Sequence, residues 1–276
     1  MKDPRPIQTR YSIFKFNLLT SLLSILNRND ENDTDFMIAR YFLMNLSRIK
    51  NTSIYTVAEQ CYVSRSSVQR FIKSIGYDSY KQLKASLDEV LDHENSFVDY
   101  TDHVEYKQYV SDNITGMMED ITKATTSIPY RKLVDRFLNS DNVVILTAED
   151  SSHACRLFQQ QMLTTGKLIR IVTSANNNLS LLQNLNENDL LLVCSVTGNF
   201  ALAIDDQIKE MKATRYLITL NKTSVFESTY SLICYLNNDP GYSSRNIVSS
   251  RNVFNSYGLM FFFDLFYHDC YIRINK

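Results

Sequence analysis

The sequence lacks an apolar run long enough to cross a membrane, and it lacks an apolar start of the kind that directs secretion. No uninterrupted apolar run is longer than residues 259–263, which end at Asp264, whereas a spanning helix needs about 20 apolar residues. The opening stretch, MKDPRPIQTR, contains two prolines and no apolar core of the kind found in signal peptides. We therefore expect a soluble, cytoplasmic protein.

The chain also lacks the residue spacings that hold a metal ion or pair a cysteine with a catalytic histidine. Its five cysteines contain no C-x-x-C pair, and each lies within an apolar helix or strand pattern. Its four histidines show no ligand spacing either. The sequence therefore predicts buried, reduced thiols. It predicts no metal site, no cofactor and no Cys-His nucleophile.

Residues 53–76 are the most informative stretch, because they predict two short helices joined by a tight turn. Ser53 and Ser64 stand where a hydroxyl can cap a helix by accepting a hydrogen bond from an amide one turn in. Between them, Tyr62 occupies a turn position that usually holds glycine, and a left-handed conformation there would cost about 1 kcal/mol. Gly76 is suited to end the second helix.

The second of these helices divides into an apolar side and a basic polar side. Helical spacing places Val68, Phe71, Ile72 and Ile75 on the buried side. The remaining surface has no acidic side chain and comprises Ser64, Arg65, Ser66, Ser67, Gln69, Arg70 and Lys73. This division is typical of a helix-turn-helix, whose polar face enters the major groove of DNA. A basic helix pair within an ordinary helical domain is the alternative.

Positive charge is concentrated around the same stretch. Residues 36–84 carry eight Lys and Arg side chains against Glu59 and Asp78, which gives +6 from eight minus two. Since the whole chain carries −1, the remainder carries −7. A basic domain in an otherwise acidic chain indicates a polyanionic partner. We therefore expect an operator of double-stranded DNA to bind here, with Ser64 and Lys73 near phosphates.

This segment resembles the N-terminal domain of the RpiR family, which are bacterial transcription regulators of sugar metabolism. The shared motif has the form A-x-x-x-x-V-S-x-x-[ST]-V-x-R-F-x-K-x-[IL]-G-[FY]-x-x-[FY]-K-x-[LF]-K. Its matching residues here are Ala58, Val63, Ser64, Ser67, Val68, Arg70, Phe71, Lys73, Ile75, Gly76, Tyr77, Tyr80, Lys81, Leu83 and Lys84. The resemblance implies a helical DNA-binding domain followed by a SIS domain, an α/β module that binds sugar phosphates.

The pattern along the chain predicts two domains. Residues 1–92 show only helical signals, and residues 93–108 are acidic and irregular, as expected for a linker. In residues 109–276, Val-, Ile- and Leu-rich strands alternate with helices. The predicted strands are residues 143–146, 168–172, 190–195, 216–220 and 232–236. We therefore predict an all-α helix-turn-helix domain followed by a three-layer α/β SIS-like domain with a mostly parallel sheet.

Two loops of the second domain are candidates for ligand binding. The loop after the third strand is similar to the S-x-S-G-x-T phosphate loop of SIS domains, although Phe200 stands where the family has a hydroxyl. The loop after the first strand, residues 147–152, lacks the usual glycines and carries Glu149 and Asp150. The candidate ligand residues are Ser151, Ser152, Ser195, Thr197, Gly198 and Asn199. These residues could instead have only structural roles, with Ser151 capping a helix and residues 195–199 forming a turn.

Together with the resemblance, these observations favour a sequence-specific DNA-binding transcription regulator of carbohydrate metabolism. Its second domain is expected to assemble subunits and to sense a phosphosugar or a related metabolite. An apolar last helix, residues 252–271, further predicts a homodimer or a larger oligomer. Two alternatives stay open: a sugar-phosphate isomerase, and a ligand-free structural or interaction protein. An isomerase needs a base that moves a proton between neighbouring carbons. Since Glu149 is the only acid suited to the pocket and no histidine joins it, we expect no enzymatic activity.

Overall fold

The computed structural model describes residues 18–87, 101–102, 104–173, 179–237 and 253–275. The chain divides into two compact units, Met1–Leu87 and Asp88–Lys276. Most of the predicted linker lies outside the described residues, so the domain limits at residues 92 and 109 stay predictions. Across the described ranges, no helix combines the length and the apolar character that a membrane crossing requires.

The described part of the first unit is helical, as predicted. Its helices are α1 (Leu18–Arg28), α2 (Thr34–Met44), α3 (Leu46–Ile49), α4 (Ile54–Gln60), α5 (Arg65–Ser74) and α6 (Tyr80–Ala85). Leu22, Ile38 and Val68 are fully buried between them. The rings of Phe42 and Phe71 stack at a centroid distance of 6.0 Å, which joins α2 to α5. Thus the apolar stripe of α5 provides much of this small core.

The second unit is an α/β domain built on a parallel sheet. Among the described residues of this unit, the helices α7 (Tyr106–Ala124) and α8 (Ile128–Asn139) precede the sheet. Its strands are β1 (Val143–Thr147), β2 (Ile169–Thr173), β3 (Leu190–Cys194), β4 (Thr214–Thr219) and β5 (Leu232–Tyr235). They are hydrogen-bonded in the order β2-β1-β3-β4-β5, and every pair is parallel. The predicted α/β class and the five predicted strands are confirmed.

Helices cover both faces of the sheet. They include α9 (Ser152–Met162), α10 (Leu179–Gln183), α11 (Asn199–Ile208) and α12 (Leu259–Asn275), and a short π-helix, Phe254–Gly258, leads into α12. All five residues of β1 and of β3 are buried. Because successive side chains of a strand point to opposite faces, burial of every residue requires a layer on each side of the sheet.

The last helix packs inside its own domain through one aromatic side. Phe158 of α9 stacks on Phe263 and Phe266 at centroid distances of 4.6 and 5.3 Å. The hydroxyl of Tyr130 in α8 donates to Asp269 at 2.8 Å. The expected burial of this helix is therefore confirmed for the side that faces α8 and α9.

The cysteines are buried and reduced, as the sequence predicts. All five are free and buried: Cys61, Cys155, Cys194, Cys234 and Cys270. Burial raises the pKa of Cys234 and of Cys270 to about 12. The thiols of Cys234 and Cys270 are therefore protonated at neutral pH and act as small apolar core residues.

Candidate functional sites

Two serine side chains cap the N-termini of the two helices in the helix-turn-helix. Ser53 Oγ accepts a hydrogen bond from the Thr56 amide at 3.1 Å, at the start of α4. Ser64 Oγ accepts from the Ser67 amide at 3.1 Å, at the start of α5. Both caps were predicted and are confirmed. Each side chain satisfies an amide that the first turn of a helix leaves without an intrahelical acceptor.

The turn between α4 and α5 uses a left-handed tyrosine. Tyr62 has φ 53°, and it is the one non-glycine residue with positive φ in the described ranges. Its side chain is 95% exposed, so no packing offsets the strain. The Val63 amide donates to the Ala58 carbonyl at 2.9 Å and closes the turn. Gly76, with φ 93°, follows the second helix as expected.

The polar side of α5 is open to solvent. Val68, Phe71 and Ile72 are buried beneath it. Of the predicted DNA-contacting residues, Ser67 is half-buried and the others are exposed: Ser64, Arg65, Ser66, Gln69, Arg70 and Lys73. Arg70 makes one weak contact within the domain, a 3.4 Å hydrogen bond from Nη2 to Ser67 Oγ on the same helix. The guanidinium of Arg70 thus stays on the exposed side.

One contact on this surface was not predicted from the sequence. Arg65 Nη1 donates to the hydroxyl of Tyr55 at 3.0 Å, and the Arg65 guanidinium carbon lies 5.0 Å from the centre of the Tyr55 ring. Tyr55 is the second residue of α4, and Arg65 is the first residue of α5. No helical spacing links them, since the contact depends on how the turn orients the two helices.

In the second unit, the two candidate ligand loops follow adjacent strands. Thr147, the last residue of β1, is in register with Cys194, the last residue of β3. The Thr147 hydroxyl donates to the Cys194 carbonyl at 3.1 Å. Both loops therefore leave the same edge of the sheet, at the carboxyl ends of its strands, where open α/β sheets bind their ligands.

The loop after β3 is held by its own hydrogen bonds. Ser195 is buried, and its Oγ accepts from the Ala201 amide at 3.2 Å in the first turn of α11. Thr197 Oγ1 accepts from the Asn199 amide at 3.4 Å, and the Thr197 carbonyl accepts from Asn221 Nδ2 at 3.0 Å. These contacts support the structural role that was left open for residues 195–199.

Gly198 is required by this loop for two reasons. Its φ of 82° lies in the left-handed region that side chains disfavour. A Cβ atom there would also lie 2.8 Å from Asn221 Cβ and 2.9 Å from Phe226 Cζ. Phe200, which replaces a hydroxyl of the family pattern, is 2% exposed and belongs to the core.

The loop after β1 does not place Ser151 as a helix cap, which was the structural role considered for it. Residues Glu149–Ser151 form a 3-10 helix, and the Ser151 side chain makes no capping hydrogen bond to α9. Its hydroxyl instead approaches Asp150 Oδ1 at 3.5 Å. Ser151 and Ser152 are both buried. The interpretation of Ser151 as a helix cap is therefore wrong, because the 3-10 turn displaces its hydroxyl from the free amides of α9.

An arginine accompanies the acidic side chain of this loop. Arg156 Nη2 lies 3.6 Å from Glu149 Oε1. Arg156 is one helical turn after Ser152 in α9, so its position on the side of the loop could have been found from the sequence. Nearby, burial and then the Cys155 thiol raise the pKa of Cys194. This neutral thiol at the end of β3 is consequently a poor nucleophile.

The described residues contain no group of three or more His, Cys, Asp or Glu side chains that could hold a metal ion. Hydroxyls, amides, one glycine turn and an Arg–Glu pair make up the chemistry at this sheet edge. Such groups can bind and orient a polar ligand.

Comparison with known proteins agrees with the N-terminal geometry. Residues 17–94 match the family model described as "Helix-turn-helix domain, rpiR family". The chain is also similar to the HTH-type transcriptional regulator GlvR of Bacillus subtilis (strain 168), with 24% identity over 171 residues. That match covers 60% of this chain and 62% of GlvR, which is less than two thirds of the relative's length.

Two solved structures show a distant likeness to this chain. The Vibrio vulnificus NanR protein complexed with ManNAc-6P has 17% identity and a TM-score of 0.45, over 94% of each chain. The sugar isomerase domain of an RpiR transcription factor from Sphaerobacter thermophilus has 15% identity and a TM-score of 0.44, over 60% of this chain and 90% of that one. These scores are low, and the fold is defined by the strand order given above. On the family match and the capped helix pair, the N-terminal part of this chain carries a helix-turn-helix domain of the rpiR family.

Proposed function

We propose that the chain is a sequence-specific DNA-binding transcription regulator of carbohydrate metabolism. The observation that carries this proposal is the exposed side of α5, which is basic, free of acidic residues and presented by two capped helices. The match of residues 17–94 to the rpiR helix-turn-helix model and the similarity to a transcriptional regulator support the same function. In this proposal, the side chains that approach base edges are Arg65, Ser66, Ser67, Gln69 and Arg70, while Ser64 and Lys73 lie near phosphates.

Binding of the full-length chain to DNA upstream of its own operon tests the proposal. A gel shift should show a complex that survives a large excess of unrelated duplex. The double variant Arg65→Ala, Gln69→Ala should lose that selectivity while it keeps weak, salt-sensitive binding. Equal affinity of wild type for operator and unrelated DNA would contradict sequence-specific regulation.

For the second unit we propose sensing of a phosphosugar or a related metabolite at the edge where β1 and β3 end. The candidate ligand residues remain Ser151, Ser152, Ser195, Thr197, Gly198 and Asn199. Two features support a site there: the left-handed Gly198 turn before α11, and the adjacency of the two loops. Glu149 and Asp150 argue for weak affinity toward ordinary sugar phosphates, because they add negative charge beside a dianion.

We infer that this site does not catalyse isomerisation. Proton transfer between neighbouring carbons needs a base near the substrate with a pKa suited to the task. In this loop, Glu149 is paired with Arg156, and the exposed His153 directs Nδ1 to the Asp150 carbonyl at 3.1 Å. Incubation with hexose and pentose phosphates should therefore produce no aldose–ketose conversion, and turnover by the purified chain would contradict this inference.

A further inference from the structure

The contact between Tyr55 and Arg65 has a definite hydrogen-bond polarity. Arg65 Nη1 can only donate, so the Tyr55 hydroxyl oxygen is the acceptor of the 3.0 Å bond. The proton of that hydroxyl therefore points away from Arg65, and none of the described residues accepts a hydrogen bond from it. Tyr55 is 64% exposed, so its hydroxyl remains accessible to a binding partner.

The same contact leaves a specific edge of the guanidinium available. A guanidinium has five N–H donors, and one of those on Nη1 is used by Tyr55. In the described part of the chain, no residue accepts a hydrogen bond from the Nε–Nη2 edge of Arg65. The ring of Tyr55, 5.0 Å from the guanidinium carbon, restricts the rotation of an otherwise flexible side chain. Arg65 is thus partly ordered before any ligand binds.

We propose that Tyr55 is a positioning residue for DNA recognition, holding the Nε–Nη2 edge of Arg65 for a bidentate contact with guanine while its own hydroxyl donates to a backbone phosphate. This inference rests on the proposed function and adds a base type and a second residue to it. Guanine is the base concerned, because its O6 and N7 atoms match two parallel N–H donors in the major groove. A phosphate oxygen is the acceptor that a hydroxyl donor finds beside the groove.

The salt dependence of DNA affinity should distinguish a phosphate contact by Tyr55 from one by a lysine. Binding of a Lys or Arg to phosphate releases a counterion, and each such contact steepens the salt dependence by about 0.9 in logarithmic slope. A tyrosine hydroxyl carries no charge and releases none. Loss of the hydroxyl should therefore lower affinity equally at all salt concentrations.

The test begins with duplexes that the full-length wild-type chain selects from a random 30-base-pair library. Each guanine of the selected sequence is then replaced in turn by 7-deazaguanine, which lacks the N7 acceptor and keeps O6. For wild type we expect one position in each half-site where this replacement weakens binding by about 5- to 150-fold. Arg65→Ala should remove the penalty at that position and leave the others.

Tyr55→Phe is the decisive variant, because it keeps the ring and removes only the hydroxyl. We expect about tenfold weaker binding to the selected duplex with an unchanged salt slope, and a smaller 7-deazaguanine penalty at the Arg65 position. Tyr62→Phe is the matched control, since Tyr62 is an exposed tyrosine of the same motif at the far end of α4. It should bind as wild type does, and both variants should keep the wild-type melting temperature.

The outcomes separate the two proposals. If wild type selects no sequence, the proposed function fails, and this inference fails with it. If wild type selects a sequence but Tyr55→Phe matches it in affinity and in every 7-deazaguanine penalty, only the role of Tyr55 is overturned. A changed salt slope in Tyr55→Phe would also overturn the neutral phosphate contact.

Discussion

Arg156 and Glu149 form an ion pair across the start of α9, with 3.6 Å between Nη2 and Oε1. The Arg156 side chain is 59% exposed and that of Glu149 is 26% exposed. Pairs with this much exposure contribute roughly 0–1 kcal/mol, because water screens them. Arg156 therefore only partly offsets the negative charge that Glu149 and Asp150 bring to the ligand loops.

This partial compensation sets an expectation for ligand affinity. We expect hexose and pentose phosphates to bind the full-length chain with millimolar dissociation constants, equivalent to roughly 4 kcal/mol. Glu149→Gln should tighten binding about tenfold by removing a like charge, and Arg156→Ala should weaken it. Calorimetry with a panel of phosphosugars measures both changes, and Asn199→Asp, which adds a like charge to the other loop, should weaken binding. A micromolar hit with wild type would show that the carboxylates do not oppose the phosphate.

Gln69 and Lys73 should affect DNA binding in different ways. Gln69→Ala should relax base preference at one position by about 1–3 kcal/mol if the amide makes a bidentate contact. Lys73→Ala should weaken all sequences alike and reduce the logarithmic salt slope by about 0.9. Fluorescence anisotropy over a salt series, with operator and scrambled duplexes, distinguishes the two effects. A Lys73 variant with an unchanged salt slope would remove that residue from the phosphate contacts.

The outer side of the last helix predicts self-association. Met260, Tyr267, Tyr271 and Ile274 are separated by seven, four and three residues, which places them on one side of the helix, and Met260, Tyr271 and Ile274 are between 36% and 45% exposed. Light scattering at micromolar concentration should show a dimer or a tetramer, as paired operator half-sites would require. The double variant Met260→Glu, Ile274→Glu should lower the mass. The matched control is Asn275→Glu, on the same helix, and a monomeric wild type would contradict the prediction.

Tyr62 should be a site where glycine stabilises the protein. The left-handed backbone of Tyr62 costs about 1 kcal/mol relative to glycine, and its 95% exposed side chain contributes little packing. Tyr62→Gly should therefore raise the free energy of unfolding of the first unit by up to about 1 kcal/mol, less the entropy that glycine adds to the unfolded chain. Gly76→Ala should lower it, because φ there is 93°. Urea unfolding followed by circular dichroism compares the two, and a destabilised Tyr62→Gly would mean that the side chain has a role in the fold.

Cys61 predicts a loss of stability at alkaline pH. Burial raises the pKa of this thiol from 9.0 to about 11 in the folded chain. The neutral thiol thus contributes stability that is fully present below pH 9 and is lost as pH rises toward 11, since the unfolded chain ionises first. Cys61→Ala should flatten the fall in the free energy of unfolding over this range, by at most about 1.4 kcal/mol per pH unit. The difference between variant and wild type should stay constant from pH 6 to 8.

The elements that the sequence predicted well are those defined by local pattern. The strands were placed to within a residue or two because buried parallel strands appear as continuous apolar runs. Ser53 and Ser64 could be recognised as caps because capping involves residues only three apart. The last helix was expected from residue 252, but a π-helix at Phe254–Gly258 precedes α12. An apolar run alone does not distinguish these two helical geometries.

The contacts that the sequence did not predict join residues brought together by the fold. Tyr55 meets Arg65 only because the turn at Tyr62 sets the angle between α4 and α5. Asn221, which follows β4, reaches the Thr197 carbonyl only because β3 and β4 are neighbours in the sheet. The spacing of residues along the sequence shows neither the angle between two helices nor the order of strands in a sheet. Neither contact could therefore be predicted.

The packing of Gly198 against Asn221 restricts how the ligand loop can change during evolution. Any side chain at position 198 would overlap Asn221 Cβ, and the turn is also held by the Asn221 amide. A smaller residue at 221 would remove that overlap but would release the Thr197 carbonyl, and Phe226 Cζ would still lie 2.9 Å from the new Cβ atom. New specificity is therefore easier to reach through the side chains of Thr197 and Asn199, which can vary one at a time, than through the turn itself, where several positions would have to change together.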